Sequence, residues 1–385
     1  MEVMSEQPQV REPLRFRLAR ASRAAAAALR TRHPGFVFGL APPAEEIPVF
    51  RFHDVDARAF SRQLEFLRLN GYRTLTLAEF LAATRRKSAA RGAREVLLTF
   101  DDARASFYGQ VLPLLRAFGA HAVLFAPTRW MRPTGQAGAG RFMSWEQLRE
   151  CLQSGLVDVE SHAHRHALVF ESEHLTGFAT PARLARSEVW DWPMRHESDG
   201  DVQSRPAAGT PIYRANPLLS ARRRYLENAT VREACISLVE RSGGARVFFS
   251  RPDCYVRLLS LHRTGTASLP GRYLGEREFD SLLASEFESS RAAFEQHLGF
   301  APRALAHPWR LGSARSLELA RRFGLRCAFG VATDYGRARA RALPLPVFGR
   351  LTGEWLELLP GSRRARLLPV LARKVASFGD QHLAH

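Results

Sequence analysis

The stretch EVLLTFDDARASFYGQVLPLLRAFG, residues 95–119, joins an apolar run to two adjacent acids and then to a helical pattern. Its first six residues have the length and composition of a buried β-strand. The part after the acids has apolar residues at helical spacing and ends at Gly119. Asp101 and Asp102 therefore lie between a strand and a helix, where α/β folds gather their ligand sites. Adjacent carboxylates repel each other unless a cation or a shared proton relieves them, so a metal site is indicated.

Strand and helix patterns alternate on both sides of this stretch. Helix starts are indicated by two capping-box spacings, Thr76 with Glu79 and Ser144 with Gln147. Further strands are predicted in IPVFRFHDV at 47–55, YRTLTL at 72–77, AHAVLFAP at 120–127 and LVDVES at 156–161. Four or more such units in series predict an α/β fold with a parallel sheet or barrel.

The composition is that of a globular chain with an excess of positive charge. With 385 residues and 45% hydrophobic content, it can bury one large core, or one core with a sizeable insertion. The net charge of +18 resembles that of a nucleic-acid binder, but lysine occurs only at Lys87 and Lys374. This skew towards arginine indicates a GC-rich coding sequence, and no nucleic-acid motif accompanies it. We therefore expect no nucleic-acid partner. The positive charge stays compatible with an anionic substrate or an anionic membrane surface.

Two features bear on the cellular compartment. The four cysteines have no C-x-x-C spacing, so neither a thiolate zinc site nor a disulfide framework is indicated, and we expect buried thiols. Residues 1–46 are rich in arginine but contain no apolar stretch of the kind found in a signal core or a membrane span. We therefore expect a cytoplasmic protein, whose amphipathic N-terminal helix could rest on a membrane surface.

A second group of polar residues follows the strand at 156–161, in VESHAHRHALV at residues 159–169. His162 and His166 are four residues apart, which lets both imidazoles face one metal, and His164 is expected to point away. The alternative is a polar loop with accidental histidines. Three of the 13 histidines within five residues argue against it. Two imidazoles and one carboxylate make a ligand set that leaves positions open for water and substrate.

Three motifs together make the sequence resemble the polysaccharide deacetylases of the NodB-homology type, carbohydrate esterase family 4. They are TFDD at residues 99–102, the H-x-x-x-H of His162 and His166, and LAHPWRLGSARSLELARRFGLRCAF at residues 305–329. They occur in the family's order between about residues 47 and 355, and their joint occurrence is far more specific than any one of them. The resemblance implies a distorted (β/α) barrel and a hydrolase that removes an N-acetyl or O-acetyl group from a sugar, polysaccharide or lipid-linked glycan.

The same resemblance implies roles for individual residues. Asp102, His162 and His166 hold a divalent metal, usually zinc, and Asp101 is the general base for the attacking water. The backbone N–H of Trp309 helps to stabilise the oxyanion.

The chain also departs from the family's pattern. The family usually has glycine directly after the acids and after the third-motif aromatic, where this chain has Ala103 and Arg310. The arginine that often orients the base is replaced near Ala306. A late LLH motif, whose histidine commonly protonates the leaving amine, is absent. Three histidines are candidates for this role: His53, His307 and His262.

Residues 167–285 separate the second and third motifs by more than a βα connection needs, so we interpret them as an ordered insertion or lid. We expect such a lid to position the substrate without affecting metal binding. Its aromatic residues could stack on sugar rings or pack the insertion's own core: Trp190, Trp192 and Tyr213. Its arginine run could meet a phosphate or carboxylate, or form a solvated helix face: Arg222, Arg223 and Arg224.

The predicted organisation has five parts. They are an extension at 1–46, the first part of the barrel at 47–166, the insertion at 167–285, the second part of the barrel at 286–360, and a C-terminal helix and tail at 361–385. Two other functions stay open. One is hydrolysis of a non-sugar C–N amide bond on the same fold, and the other is a catalytically weakened, carbohydrate-binding protein. Both enzymatic functions need stoichiometric metal, whereas a binding protein could lack it.

Overall fold

The protein is described by a computed structural model that covers residues 34–38, 47–85, 94–133, 141–198, 200–330 and 343–371. The strands in chain order are β1 (Val49–Phe52), β2 (Arg73–Thr74), β3 (Glu95–Phe100), β4 (Ala122–Ala126), β5 (Val157–Ser161), β6 (Leu168–Phe178), β7 (Arg195–Glu197), β8 (Gly200–Val202), β9 (Pro211–Pro217), β10 (Tyr225–Leu226), β11 (Arg272–Tyr273), β12 (Ala304–Ala306), β13 (Cys327–Phe329), β14 (Val347–Phe348) and β15 (Leu351–Thr352). The helices are α1 (Ala57–Leu69), α2 (Leu77–Arg85), α3 (Leu112–Phe118), α4 (Trp145–Gln153), α5 (Pro181–Arg186), α6 (Ala229–Arg241), α7 (Gly244–Phe249), α8 (Cys254–Ser268), α9 (Glu276–Leu298) and α10 (Ala314–Arg322).

The central sheet has nine strands, all paired in parallel, in the order β14-β13-β12-β5-β4-β3-β1-β15, with β2 paired to β3. Its two end strands, β14 and β15, are separated by only Gly349 and Arg350. One short segment thus pairs first with β13 and then with β1. The sheet therefore closes on itself, which confirms the predicted distorted α/β barrel.

Two apolar layers hold the barrel together. The strands contribute small and aromatic side chains to the inner layer, where Phe125 packs against Phe329. Phe80 of α2 packs against Phe329 and Phe348 of the same layer. The larger outer layer lies between the strands and the helices, and Phe52 and Phe100 stack there at a ring-centroid distance of 4.9 Å. This alternation of inward and outward side chains follows from the period of two in a β-strand.

Local signals in the sequence match the observed helix ends. The two capping boxes form as predicted: the backbone N–H of Glu79 donates to Thr76 Oγ1, and that of Gln147 donates to Ser144 Oγ. Gly119 ends α3 with a φ of 61°, a conformation that glycine adopts without a Cβ clash. Three of the four cysteines are buried and the fourth is half-buried, all as free thiols, as expected.

The described residues of the long segment between the second and third motifs add no strand to the barrel. It forms three two-stranded antiparallel sheets, β6 with β9, β7 with β8, and β10 with β11, and carries the helices α5 to α8. Helix α9 runs across the predicted boundary at residue 285. The domain boundaries stay predictions, and most of the extension at 1–46 and residues 372–385 of the tail lie outside the described residues. Among the residues that the structure describes, no helix combines the length and the apolar character needed to cross a bilayer.

Candidate metal centre

Asp102, His162 and His166 meet at one end of the barrel. Asp102 follows β3, and the two histidines follow β5, with β4 between these strands. Because the carboxyl ends of parallel strands face the same side, residues 60 positions apart in sequence become neighbours. One ligand atom from each residue lies within 4.8 Å of the others, and all three residues are buried.

The two carboxylate oxygens of Asp102 have different surroundings. Oδ2 accepts hydrogen bonds from Nε and Nη2 of Arg104, at 3.2 and 3.0 Å. Oδ1 accepts no hydrogen bond from the described residues and lies 3.5 Å from His162 Nε2 and 3.8 Å from His166 Nε2. Donors bound at about 2.1 Å to one tetrahedral ion are about 3.4 Å apart, so these three atoms fit a single divalent cation. Burial alone would raise the pKa of Asp102, but His162, His53 and His166 hold it well below its usual value.

The tautomer of His162 suits a metal ligand. Its Nδ1–H donates to the carbonyl of Ala306 at 2.8 Å, since a carbonyl can only accept. This bond leaves the Nε2 lone pair directed at the Asp102 side of the site, as is usual for metal-bound histidines. His164 points away, as expected, because its Nδ1 lies 2.9 Å from Thr128 Oγ1.

The histidine loop is anchored from α9 by a buried carboxylate, Glu286. This side chain is 1% exposed and accepts hydrogen bonds from the backbone N–H groups of His164 and Arg165, at 3.2 and 2.9 Å. Arg165 adds an ion pair at 2.6 Å. Burial raises the pKa of Glu286, and the pairing with Arg165 opposes that rise. The bonds to Glu286 therefore fix the loop between His162 and His166.

Asp101, the predicted general base, is paired with an arginine that the sequence analysis did not identify. Arg350 donates to both carboxylate oxygens, at 2.6 and 2.8 Å, and its side chain is fully buried. Burial alone would raise the pKa of Asp101, but the charges of Arg350, His162 and His53 instead hold it well below its usual value. Arg350 lies between β14 and β15, in the segment that closes the barrel, so the arginine missing near Ala306 has a counterpart in that connection.

Of the three candidate acids, only His53 lies at the site. Its Nε2 is 3.9 Å from Asp101 Oδ2, and its side chain is 25% exposed. It lines a cavity of about 380 Å³ together with Arg51, Arg104, Trp190 and Glu354. His53 thus faces both the carboxylate and a space that a substrate could enter.

The other two candidate histidines do not reach this cavity. His307 is 0% exposed, and burial lowers its pKa to about 3. Its ring is enclosed between Gly312 and Ser316, so it has no access to a leaving group. His262 lies in the insertion, where its Nε2 is 2.8 Å from the hydroxyl of Tyr213. Neither ring lines the cavity beside His53, so the structure favours His53, and the identity of the acid stays a prediction.

Strained backbone marks the three motifs. Seven non-glycine residues in the described part of the chain have positive φ, and six of them lie in the motifs or directly after one: Asp102, Ala103, Ala163, His166, Trp309 and Arg310. Such conformations cost free energy and cluster at functional sites. Ala103 and Arg310, with φ of 46° and 64°, occupy the positions where the related family usually has glycine. Glycine adopts this conformation without steric cost, which explains the family's preference.

The predicted oxyanion residue, Trp309, is on a short turn after β12. Its ring centroid is 5.2 Å from that of His166, so the third motif reaches the metal ligands. The role of its backbone N–H stays a prediction.

The aromatic residues proposed as sugar-stacking platforms are buried. Trp190, Trp192 and Tyr213 are 3%, 1% and 2% exposed, and of the three only Trp190 lines the cavity beside His53. The arginine run is not one exposed face either, because Arg224 is 2% exposed and paired with Asp201 at 2.6 Å.

The residues that the sequence analysis missed differ in the signals that they offered. Arg104 stands two positions after Asp102, and a buried arginine beside a metal-binding acid could have been suspected. Arg350 is 249 positions from Asp101, and Glu286 is 121 from Arg165, so no local pattern indicated either contact.

Comparisons with known proteins agree with the motifs. Residues 88–187 match the family model described as polysaccharide deacetylase. This range contains Asp101, Asp102, His162 and His166, so the resemblance to that family is confirmed for the first two motifs.

Two similar proteins share part of the sequence. The poly-beta-1,6-N-acetyl-D-glucosamine N-deacetylase of Escherichia coli (strain K12) is 30% identical over 164 residues, which are 40% of this chain and 24% of that protein. The putative polysaccharide deacetylase YxkH of Bacillus subtilis (strain 168) is 28% identical over 130 residues, 31% of this chain and 43% of that protein. The chain thus spans about a quarter of the length of the Escherichia coli protein.

Solved structures resemble the chain over most of its length. A de-N-acetylase from Aggregatibacter actinomycetemcomitans has a TM-score of 0.49 and 19% identity, over 79% of this chain and 94% of that one. The BpsB deacetylase domain from Bordetella bronchiseptica has a TM-score of 0.48 and 20% identity, over 80% and 96%.

Proposed function

We propose that this polysaccharide deacetylase-like chain is a metal-dependent hydrolase that removes the acetyl group from an N-acetylated sugar. The observation that carries the proposal is the pairing of two acids with different partners at one strand end. Asp102 offers a free oxygen to the two histidines, and Asp101 is held apart from them by Arg350. This division supplies both a cation site and a separate base.

Asp102, His162 and His166 would hold the cation, with zinc as the proposed identity. When bound, a divalent cation would lower the pKa of a water molecule and polarise the acetyl carbonyl.

The chain's own residues perform the proton transfers. Asp101 accepts a proton from the attacking water, and the two bonds from Arg350 keep its carboxylate oriented while this happens. Water oxygen bonds to the acetyl carbon, and the C–N bond breaks to give acetate and an amine. His53 is the proposed donor of the proton that the leaving nitrogen takes up, since it lies between Asp101 and the cavity. The backbone N–H of Trp309 is the proposed oxyanion donor.

The names of the similar proteins suggest a first substrate. We propose an N-acetylglucosamine polymer, because a relative that is 30% identical over 164 residues is named for that activity. An O-acetylated sugar, a lipid-linked glycan and a cytoplasmic location in contact with a membrane remain predictions from the sequence.

The test measures acetate and free amine released from β-1,6-linked N-acetylglucosamine oligomers by the full chain. Wild type is expected to lose activity after chelation and to regain it with zinc. Asp101→Asn should keep the metal but lose on the order of 10²- to 10⁴-fold in turnover, because an amide cannot accept the proton. Asp280→Asn is the matched control, since that side chain is 51% exposed and forms an ion pair with Arg315 at the surface. Undiminished turnover by Asp101→Asn, or by metal-free wild type, would contradict the proposal, and acetate without free amine would identify O-acetyl hydrolysis.

A further inference from the structure

One side chain of the insertion, Trp190, reaches the metal centre. It lies on the short turn Val189–Asp191, and its ring is 3% exposed. The guanidinium carbon of Arg104 is 4.5 Å from the centre of this ring, and the His166 ring is 5.6 Å away. Trp190 therefore contacts one metal ligand and the arginine that holds another.

Arg104 depends on this contact for its position. The side chain is 6% exposed, and its ion pair is with Asp102. Its Nη1 atom has no hydrogen-bond partner among the described residues, so the guanidinium is held by Asp102 Oδ2 and by the rings that it faces. Trp190 is the nearer ring, and Phe142 follows at 5.5 Å. A cation–π contact is stronger where both groups are removed from water, as they are here.

Arg104 in turn determines how Asp102 presents its oxygens. By taking Oδ2, it leaves Oδ1 directed at His162 and His166. A carboxylate without this bond would be able to rotate and would leave a buried oxygen unsatisfied. Groups that hydrogen-bond metal ligands in this way commonly change metal affinity by about 10- to 100-fold when removed.

The ring of Trp190 is itself held by the barrel side of the site. It packs against Phe142 at a centroid distance of 4.7 Å and against Trp130 at 5.8 Å. Both partners precede the H-x-x-x-H motif in the sequence. Trp190 thus belongs to the insertion by sequence and to the metal centre by packing.

We propose that Trp190 is a positioning residue of the metal centre: it holds Arg104 on Asp102 and so sets the metal affinity. This inference rests on the proposed function, since it concerns the same cation. It differs from the expectation that the insertion acts on the substrate without affecting metal binding.

Trp192 provides a matched control. It is 1% exposed, lies two positions further on, and stacks on an arginine, Arg183, at 4.9 Å. It belongs to the same buried cluster of the insertion as Phe170 and Tyr213. Both tryptophans are buried and stack on an arginine, although Arg183 is exposed and Arg104 is buried. Of the two, only Trp190 borders the metal ligands.

The experiment measures zinc affinity by competition with a chelator, on the full chain without substrate. Trp190→Leu and Arg104→Met should raise the Kd for zinc by about 10- to 100-fold, whereas Trp192→Leu should stay within about 3-fold of wild type. The absorption spectrum of the cobalt-loaded protein should change in the first two variants and not in the third. Circular dichroism checks that each variant is folded.

A double-mutant cycle decides whether Trp190 acts through Arg104. Adding Trp190→Leu to Arg104→Met should change the Kd for zinc little further, because the arginine through which Trp190 acts is already absent. Trp190→Phe, which keeps a ring over Arg104 and most of the packing, should bind zinc nearly as wild type does. Trp190→Met, which removes the ring but keeps an apolar side chain, replaces Trp190→Leu if that variant does not fold. The inference is overturned if Trp190→Leu matches Trp192→Leu, if Trp190→Phe binds no better than Trp190→Leu, or if the double variant is additive. A wild-type chain that binds no metal would instead overturn the proposed function, and this inference with it.

Discussion

Replacing Arg350 tests how strongly the barrel closure supports the candidate base. Arg350→Met keeps the volume of the side chain but removes the guanidinium that donates two hydrogen bonds to Asp101. Both side chains are at most 2% exposed, so the carboxylate is left buried and unpaired.

The expected loss follows from this geometry. At a separation of 2.6 Å and an effective dielectric constant of about 20, the attraction of the two charges is about 6 kcal/mol. Desolvation offsets part of this attraction, and breaking a buried pair by removing one partner typically costs about 3–5 kcal/mol. Since domains are stable by about 5–15 kcal/mol, Arg350→Met should lose a large part of the free energy of unfolding.

Urea unfolding of the full chain measures this loss. Arg291→Met is the control, because Arg291 pairs with Glu295 at 2.8 Å with both side chains nearly half exposed, and such pairs contribute about 0.3–0.5 kcal/mol. Adding Asp101→Asn to Arg350→Met should restore part of the stability, since the unpaired charge is then gone. The reasoning is refuted if Arg350→Met lowers the free energy of unfolding no more than Arg291→Met does, or if the double variant is less stable than Arg350→Met.

Three further predictions concern the surroundings of the site. The folded pKa of His307, about 3, lies below its ordinary 6.5, so the unfolded chain binds the extra proton between these values and stability falls as the pH drops from 6.5 towards 3. The free energy of unfolding, measured with urea, should therefore fall less between pH 7 and pH 4 for His307→Leu than for wild type. An equal fall in both proteins would contradict this. Arg310→Gly should stabilise the fold by about 1 kcal/mol, because Arg310 is exposed and has a φ of 64°; a lower melting temperature would show that its side chain makes a compensating contact. His53→Gln should lower kcat with unchanged zinc affinity, and equal kcat would remove His53 from the acid role.

The sequence by itself determined the local features of the site. Asp101 and Asp102 at a strand end, and His162 four residues before His166, were readable because each relation spans a few residues. The capping boxes and the glycine that ends α3 were readable for the same reason, since helix ends depend on side chains three or four positions away. The barrel followed from the repetition of strand and helix patterns.

The tertiary structure decided which partners these residues have. His53 and His307 both follow a barrel strand, and only the packing of the chain leaves one at the cavity and encloses the other. Arg350 meets Asp101 because the sheet closes through the segment between β14 and β15, and Trp190 meets Arg104 because the insertion folds back over the first motif. Spacing along the chain specifies contacts only within one element. Contacts between distant elements depend on how the sheet closes and on which side chains fill the space, and neither is encoded in a local pattern.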